Sequence, residues 1–418
     1  MKLQTSKRLA LKTLKGFRDF LPEKMAIRQE VIRRLKNVFE TYGFEELQTP
    51  ALEYAEVLKG KYGEDAEKLM YLFKDQGDRE VGLRYDLTVP FARVMASYQD
   101  LPKPFKRYQI QPAYRAENTQ KGRYREFYQC DVDIVGSTSP LSDAEILGVI
   151  NDALTSLEFP SFKIKVNSRQ VLFTIIENAG IEKGLALSVI RSIDKLDKKS
   201  KEEVEQELKE KGLSQEKISK IFQEISKAKP DDFLIKTIEY AKQLGARENI
   251  VFDPTLARGL DYYTGPIFET QVEEPKIGSV TGGGRYNQLL KTLGGPDLPA
   301  TGTTIGLDRI CDVIEELNLW NLPKTKVQVL VAVLDPKFIN ESLKVAQTLR
   351  ERFVTVEVYP DENTKLDKQL KYADQKGVPF VLIIGEDEAK ENKVTLKNME
   401  TGEQETLTLE GTLNRVKS

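Results

Sequence analysis

The chain has 418 residues, 40% of them hydrophobic and 31% charged, with a formal net charge of -2, two cysteines and no histidine. That length accommodates two or three domains around a sizeable core, and no apolar run approaches the roughly 20 residues that span a bilayer. Without histidine there is no Ser-His or Cys-His nucleophile and no His-ligated metal, and Cys130 and Cys311 stand alone as thiols suited to a reducing compartment.

The first fifteen residues are basic and lack the apolar core of a signal peptide, so a cytoplasmic protein is expected. Met25, Ile27, Val31, Leu35, Val38 and Tyr42 recur at helical spacing up to Gly43, a fitting stop. Phe44 to Leu47 reads as a strand before Pro50. Tyr71 to Ala96 turns at Gln76–Asp78 and enters a strand predicted to end in Arg84, Tyr85, Asp86, Leu87 and Thr88. Asp86 and Thr88 have the same parity, which would place a carboxylate and a hydroxyl on one strand face, suited to an ammonium. The blander reading of Asp-x-Thr near a proline is a helix cap.

Phe105 to Gly136 is the stretch around which the rest is organised. Between Lys103 and Arg125 it holds seven basic residues against Glu117 alone, then turns acidic at Glu126, Asp131 and Asp133. Alternation on both sides of the polar turn Asn118–Gly122 predicts a hairpin. Arginines at its strand ends could hold a polyphosphate, and the carboxylates a cationic small molecule deeper in. A solvated, salt-bridged sheet face is the alternative.

Asp143–Leu157 then reads as a helix and Phe162–Val166 as a strand. From about 168 to 245 the chain is dense in Lys and Glu, with apolar residues at helical intervals. SVTGGGRYNQLL, Ser279 to Leu290, reads as a strand, a glycine turn and a helix start, and TGTTIGLDRI puts Gly306 and Arg309 at the start of another helix. Beyond a linker near 321–326, three apolar strands alternate with helices at Pro336–Arg352 and Lys365–Gln375, which predicts a parallel α/β unit.

YRAENTQKGRYREFYQ, Tyr114 to Gln129, resembles the second signature motif of class II aminoacyl-tRNA synthetases, and RGLDYYTG, Arg258 to Gly265, resembles a segment distinctive of histidyl-tRNA synthetases. LKGFRDFLPEKM, RYDLTVPFAR, the helix and strand before Pro50, TGTTIGLDRI and KLDKQLKYADQKG are similar to further parts of that family, so the resemblance spans nearly the whole chain. It implies an α+β catalytic domain over 1–322, an antiparallel sheet flanked by helices, with a helical insertion at about 168–245. An α/β anticodon-binding domain would occupy 326–418.

The implied reaction is ATP-dependent activation of histidine and its transfer to the 3′ end of tRNA(His), with Mg²⁺, in a homodimer. Arg115 and Arg258 would bracket the α-phosphate, Arg123 and Arg309 the γ-phosphate, with Glu117 near Mg²⁺ and Phe127 under the adenine. Asp86, Thr88 and Gln129 would hold the amino group, and Asp133 and Tyr263 the imidazole, with Tyr262 lining the pocket. Gln120 would meet the first base pair of the tRNA. The rival is a non-catalytic synthetase paralogue that regulates another protein. Such relatives commonly lose the motif arginines, RGLDYY or the anticodon domain, all present here.

Overall fold

The structure is a computed structural model that describes residues 11–59, 67–120, 122–257, 262–292 and 294–417. By contact they divide into two units, Arg28–Trp320 with the residues up to Asp19, and Asn321 onwards with Phe20–Ile27.

The first unit is built on eight strands. They lie in the order β1 (Glu45–Glu46), β5 (Phe105–Tyr114), β6 (Glu126–Val135), β11 (Ala300–Gly306), β10 (Ser279–Arg285), β9 (Pro266–Val272), β7 (Phe162–Ser168) and β8 (Ile250–Phe252). All pairings are antiparallel except the two at the edges, β1 with β5 and β7 with β8. Helix α1 (Pro22–Thr41) buries Val31, Leu35 and Phe39, and Gly43 at φ +74° ends it as the spacing predicts.

Helix α4 (Pro140–Ser156) is started by the Ser139 hydroxyl, which accepts from Leu141 N at 3.2 Å. It is anchored by Asp143, whose buried carboxylate accepts from Arg285 Nη2 at 2.5 Å and from the Thr301 hydroxyl at 2.8 Å. Arg285 and Thr301 point to one face of the sheet, leaving the other for a ligand.

A smaller sheet holds β2 (Leu52–Tyr54), β4 (Glu80–Leu83) and β3 (Leu72–Lys74) in that order, with the short helix α2 (Ala55–Leu58) directly after β2, as the short helix α10 (Leu289–Thr292) comes after β10. Here the structure corrects one expectation. The strand ends at Leu83, and Thr88 is the first residue of helix α3 (Thr88–Ser97), so Asp86 and Thr88 share no strand face. The cause is Arg84, buried and donating to the carbonyls of Thr49, Pro50 and Pro112 at 2.7, 3.2 and 2.6 Å, which draws the chain off the sheet. Asp86 then caps the helix by accepting from Val89 N at 3.0 Å.

A second correction concerns Gly282–Gly284, which lie within β10 rather than in a turn. Strands pack too closely there for side chains, since a Cβ on Gly283 would lie 2.1 Å from the Gly302 carbonyl oxygen.

The lysine- and glutamate-rich segment forms five helices, α5 (Arg169–Asn178), α6 (Lys183–Ile193), α7 (Lys201–Glu210), α8 (Gln215–Lys227) and α9 (Asp232–Gln243). Ser168, Ser200, Ser214 and Asp231 cap four of them, Ser200 in a reciprocal box with Glu203. Val204, Leu208, Ile218 and Ile221 bury the inner faces completely.

In the second unit, β12 (Val329–Ala332) pairs in parallel with β13 (Val356–Val358) and β14 (Phe380–Ile383). Helices α12 (Ile339–Glu351) and α13 (Leu366–Lys376) stand where expected. The unit is not wholly parallel, however. β15 (Lys393–Asn398) and β16 (Gln404–Thr408) extend the sheet antiparallel, and the tight turn through Gly402 at φ +79° leaves no room for a crossover between these two strands. No described helix is long and apolar enough to cross a membrane.

Candidate active site

Strand register assembles the site. Across the central hairpin, Arg107 stands opposite Asp133, Gln109 opposite Asp131, Gln111 opposite Gln129 and Ala113 opposite Phe127. On the next strand Gly302, Thr304 and Gly306 face Asp133, Asp131 and Gln129, and β10 adds Gly284 and Gly282 beyond them. Residues directly opposite share a sheet face, so one face carries a polar row beside a floor of nearly bare backbone. Over it opens a cavity of about 580 Å³.

Asp86, Thr88, Arg115, Glu117, Gln120, Arg123, Phe127, Gln129, Asp133, Tyr262, Tyr263 and Arg309 all line this cavity. Arg258 lies outside the described residues. Asp86 and Thr88 arrive there from a loop and a helix start, not from a strand.

The mouth is cationic. The Arg115 guanidinium sits 4.3 Å from the Tyr85 ring centroid and 4.9 Å from that of Phe127, and its Nε donates to the Tyr85 carbonyl at 3.1 Å. The Glu117 carboxylate lies between Arg115 at 4.0 Å and Arg123 at 3.9 Å. Arg309 reaches across to donate to the carbonyls of Ser279 at 2.5 Å and Gly122 at 3.2 Å. Asp308, one residue earlier, receives Arg18 at 2.5 Å, Arg28 at 2.7 Å and Tyr128 N at 2.8 Å, which ties the start of α11 (Leu307–Leu317) to the hairpin.

The deep end is lined by buried carboxyl groups. Asp86, Asp131 and Asp133 are each at most 3% exposed. Arg107, fully buried, places Nη2 at 2.7 Å from Asp133 and 3.8 Å from Asp131. The Tyr286 hydroxyl donates to Asp133, and Gln129 donates to the Thr304 hydroxyl at 3.1 Å, which in turn donates to Asp131. Burial pushes the Asp131 carboxyl up to about 7 against the opposing pull of Arg107, and lifts Asp133 in the same direction. Burial also raises the Tyr262 and Tyr286 hydroxyls far above the usual phenol range, so both remain protonated. The Tyr262 ring packs 4.8 Å from Tyr263 and 5.9 Å from Tyr286. Buried beside these groups, Gln129 Oε1 has no hydrogen-bond donor among the described residues.

Sequence reasoning missed Arg107, Thr304, Tyr286 and Gly302; it put Asp131 on one strand face with Asp133 as a carboxylate for a cation but gave it no separate role. Arg107 looked like one more basic residue at a strand start, and Tyr286 belonged to what read as a helix entry.

This arrangement can hold an anion at the mouth and a cation with N–H donors below it. Among the described residues no group of three or more His, Cys, Asp or Glu could hold a metal by itself.

A family model described as histidyl-tRNA synthetase matches residues 16–310, and one described as an anticodon binding domain matches 328–418. The chain is 42% identical over 410 residues to the histidine–tRNA ligase of Aeropyrum pernix, covering 93% of this chain and 94% of that protein. It is 40% identical over 452 residues to the histidine–tRNA ligase of Gloeobacter violaceus, covering 96% and 97%. Its fold is similar to the crystal structure of histidyl-tRNA synthetase from Nostoc sp., with a TM-score of 0.86 and 30% identity over 98% of this chain and 99% of that one.

Proposed function

The chain belongs to the histidyl-tRNA synthetase family, and on that premise we propose that its cavity aligns ATP with histidine, joins them as histidyl-adenylate and passes the histidyl group to the 3′ end of tRNA(His). In the first step a histidine carboxylate oxygen bonds to the α-phosphorus while the bond from that phosphorus to the pyrophosphate oxygen breaks. The attacking carboxylate is already ionised, so no protein base is required. The demand is for positioning and for neutralising charge at phosphorus.

Arg115 and Arg258 meet the α-phosphate, Arg123 and Arg309 the γ-phosphate, and Phe127 supports the adenine. Guanidinium forks suit these oxygens better than lysine would. Mg²⁺ carried on a triphosphate needs only one or two protein carboxylates. Glu117, between two arginines at the mouth, fits that role. The ion would neutralise phosphate charge.

Asp86, Thr88 and Gln129 receive the α-ammonium, and Asp133 and Tyr263 the imidazole, with Tyr262 lining the pocket. The observation that carries this reading is the donorless Gln129 Oε1 beside three buried carboxylates, a place for a cation bearing N–H groups. An Asp133→Ala variant that activated histidine as well as the parent would remove Asp133 from this assignment.

We assign the helical segment of about 168–245 to the acceptor arm of the tRNA and 326–418 to its anticodon. Gln120, at the hairpin turn, is placed against the extra 5′ guanosine. A Gln120→Ala enzyme that still discriminated fully against tRNA lacking that base would refute the placement. Exposed Leu52, Tyr54, Phe73 and Tyr98 around the three-stranded sheet suit a homodimer. A cytoplasmic location is consistent with this substrate set.

Pyrophosphate exchange into ATP without tRNA, run with each of the twenty amino acids, tests the whole. Exchange with histidine alone is expected. A folded protein that bound histidine yet exchanged with none would instead be the regulatory paralogue.

A further inference from the structure

We propose that Asp194, a residue of the helical insertion, is a positioning residue for the adenylation step, holding the chain at the point where it enters Arg258. This rests on the reading above that Arg258 meets the α-phosphate, and it follows from hydrogen bonds on both sides of one peptide group. Asp194 acts through the backbone it holds rather than on the substrate.

The peptide between Leu256 and Ala257 is gripped from two directions. Its carbonyl accepts from Asn167 Nδ2 at 2.8 Å, and its N–H donates to Asp194 Oδ1 at 3.1 Å. Asn167 is the penultimate residue of β7 and fully buried, so the first contact belongs to the sheet. Asp194 follows directly on α6 and opens the short 3₁₀ turn Asp194–Asp197, so the second comes from the insertion. Leu256 and Ala257 are themselves buried. The residues before them are held as well. Asp253 N donates to the Val166 carbonyl at 3.0 Å, and Lys165 lies 3.0 Å from the Asp253 carboxylate. That carboxylate accepts from Thr255 N at 3.0 Å and from the Thr255 hydroxyl at 2.6 Å.

The turn that presents Asp194 is fixed in its turn by the rest of the insertion. The Glu207 carboxylate of α7 accepts from the Ser192 hydroxyl at 2.9 Å and from Lys195 Nζ at 2.6 Å. Lys211, just after α7, donates to the Ser192 hydroxyl at 2.6 Å and to the Ser188 carbonyl at 2.8 Å. A peptide hydrogen-bonded at both its carbonyl and its N–H has little freedom to rotate, and the next Cα lies about 3.8 Å beyond that of Ala257. In the sequence that next residue is Arg258. A group that must meet a transition state has to be held to about 0.5 Å, and a misplacement of about 1 Å caused from a distance can cost roughly 100-fold in rate. Asp194 supplies one of the restraints at the entry to Arg258. The insertion thereby takes part in the first step of the reaction, before any tRNA is bound.

Pyrophosphate exchange without tRNA is measured in the full chain for Asp194→Ala and Asp194→Asn. Asp194 is half-buried, and Asp194→Ala should fold and bind histidine in calorimetry like the parent. Its kcat for exchange is expected to fall roughly 10- to 100-fold, with the KM for histidine and for ATP little changed, as when an interaction made in the transition state is lost. Asp194→Asn keeps a side-chain oxygen that can accept from Ala257 N and should recover most of that loss. Asp194→Ser, a second truncation that leaves a polar side chain in the turn, should behave as Asp194→Ala does. Added to Arg258→Ala, Asp194→Ala should cost little more, because a restraint acting through Arg258 then has nothing left to hold. An unchanged kcat in the two truncations would overturn the proposal, as would an Asp194→Asn variant no faster than Asp194→Ala or the same fold-loss with and without Arg258. A parent without histidine-dependent exchange would defeat the functional reading itself, whereas an active parent beside an equally active Asp194→Ala would defeat this inference alone.

Discussion

A methyl group added at Gly302 would come within 2.0 Å of Asp133 Oδ1, so the absence of a side chain there is what lets the carboxylate lie over the sheet. Gly302→Ala is expected to displace Asp133 and raise the KM for histidine roughly tenfold or more, the loss of one charge-assisted contact. The KM for ATP should change far less, and pyrophosphate exchange with each substrate varied in turn separates the two. Asp131 gives a prediction of a different kind. Its carboxyl is raised to about 7 by burial, so the folded state holds that proton more tightly than the unfolded chain, whose Asp titrates near 3.9. The stability associated with that proton is present below about pH 4 and is lost as pH rises through about 7. Asp131→Asn, which mimics the protonated form, should therefore melt higher than the parent at pH 8, with the gap narrowing towards pH 4 in thermal scans.

Among the elements, the helical insertion shows how far local chemistry reaches. Helix α7 begins at Ser200, whose hydroxyl accepts from Glu203 N at 3.2 Å while the Glu203 carboxylate accepts from Ser200 N at 2.8 Å. Ser200→Ala should cost about 1 kcal/mol. Faster hydrogen exchange confined to the first turn of α7, with histidine-dependent exchange into ATP unchanged, is the expected readout. The apolar intervals of this segment are plain in the chain itself, and the structure follows them as helices. The passage from β4 into α3 was not legible in this way. Period-two reasoning carried the strand through Asp86 and Thr88, whereas Arg84 is satisfied by carbonyls 28 to 35 residues away and takes the backbone with it. No local pattern announces such a partner.

For the whole molecule, the exposed apolar side chains around the three-stranded sheet matter most. Leu52 and Tyr54 are 45% and 52% exposed and stand beside Tyr98 at 62%, an arrangement that a lone copy would leave in water. On the proposed homodimer, Leu52→Asp combined with Tyr98→Asp is expected to halve the sedimenting mass relative to the parent, and an unchanged mass would show that this surface is not a subunit interface. Much at this scale was determined by the sequence itself. The amphipathic periods, the glycine stop after α1 and the alternation of the central hairpin all express forces acting within a few residues, and they placed the first long helix, the two hairpin strands, the helix and strand that follow them and the parallel part of the second unit. The described motif residues, too, line one cavity. What only the tertiary structure decided is the state of charge inside that cavity. Arg107 meets Asp133 through strand register, Tyr286 reaches it from 153 residues further along the chain, and Gly302 clears its place from a third strand. A chain read in order reports what each residue can offer. Which charges end up buried together, and whether they cancel, depends on the strands that the fold sets side by side.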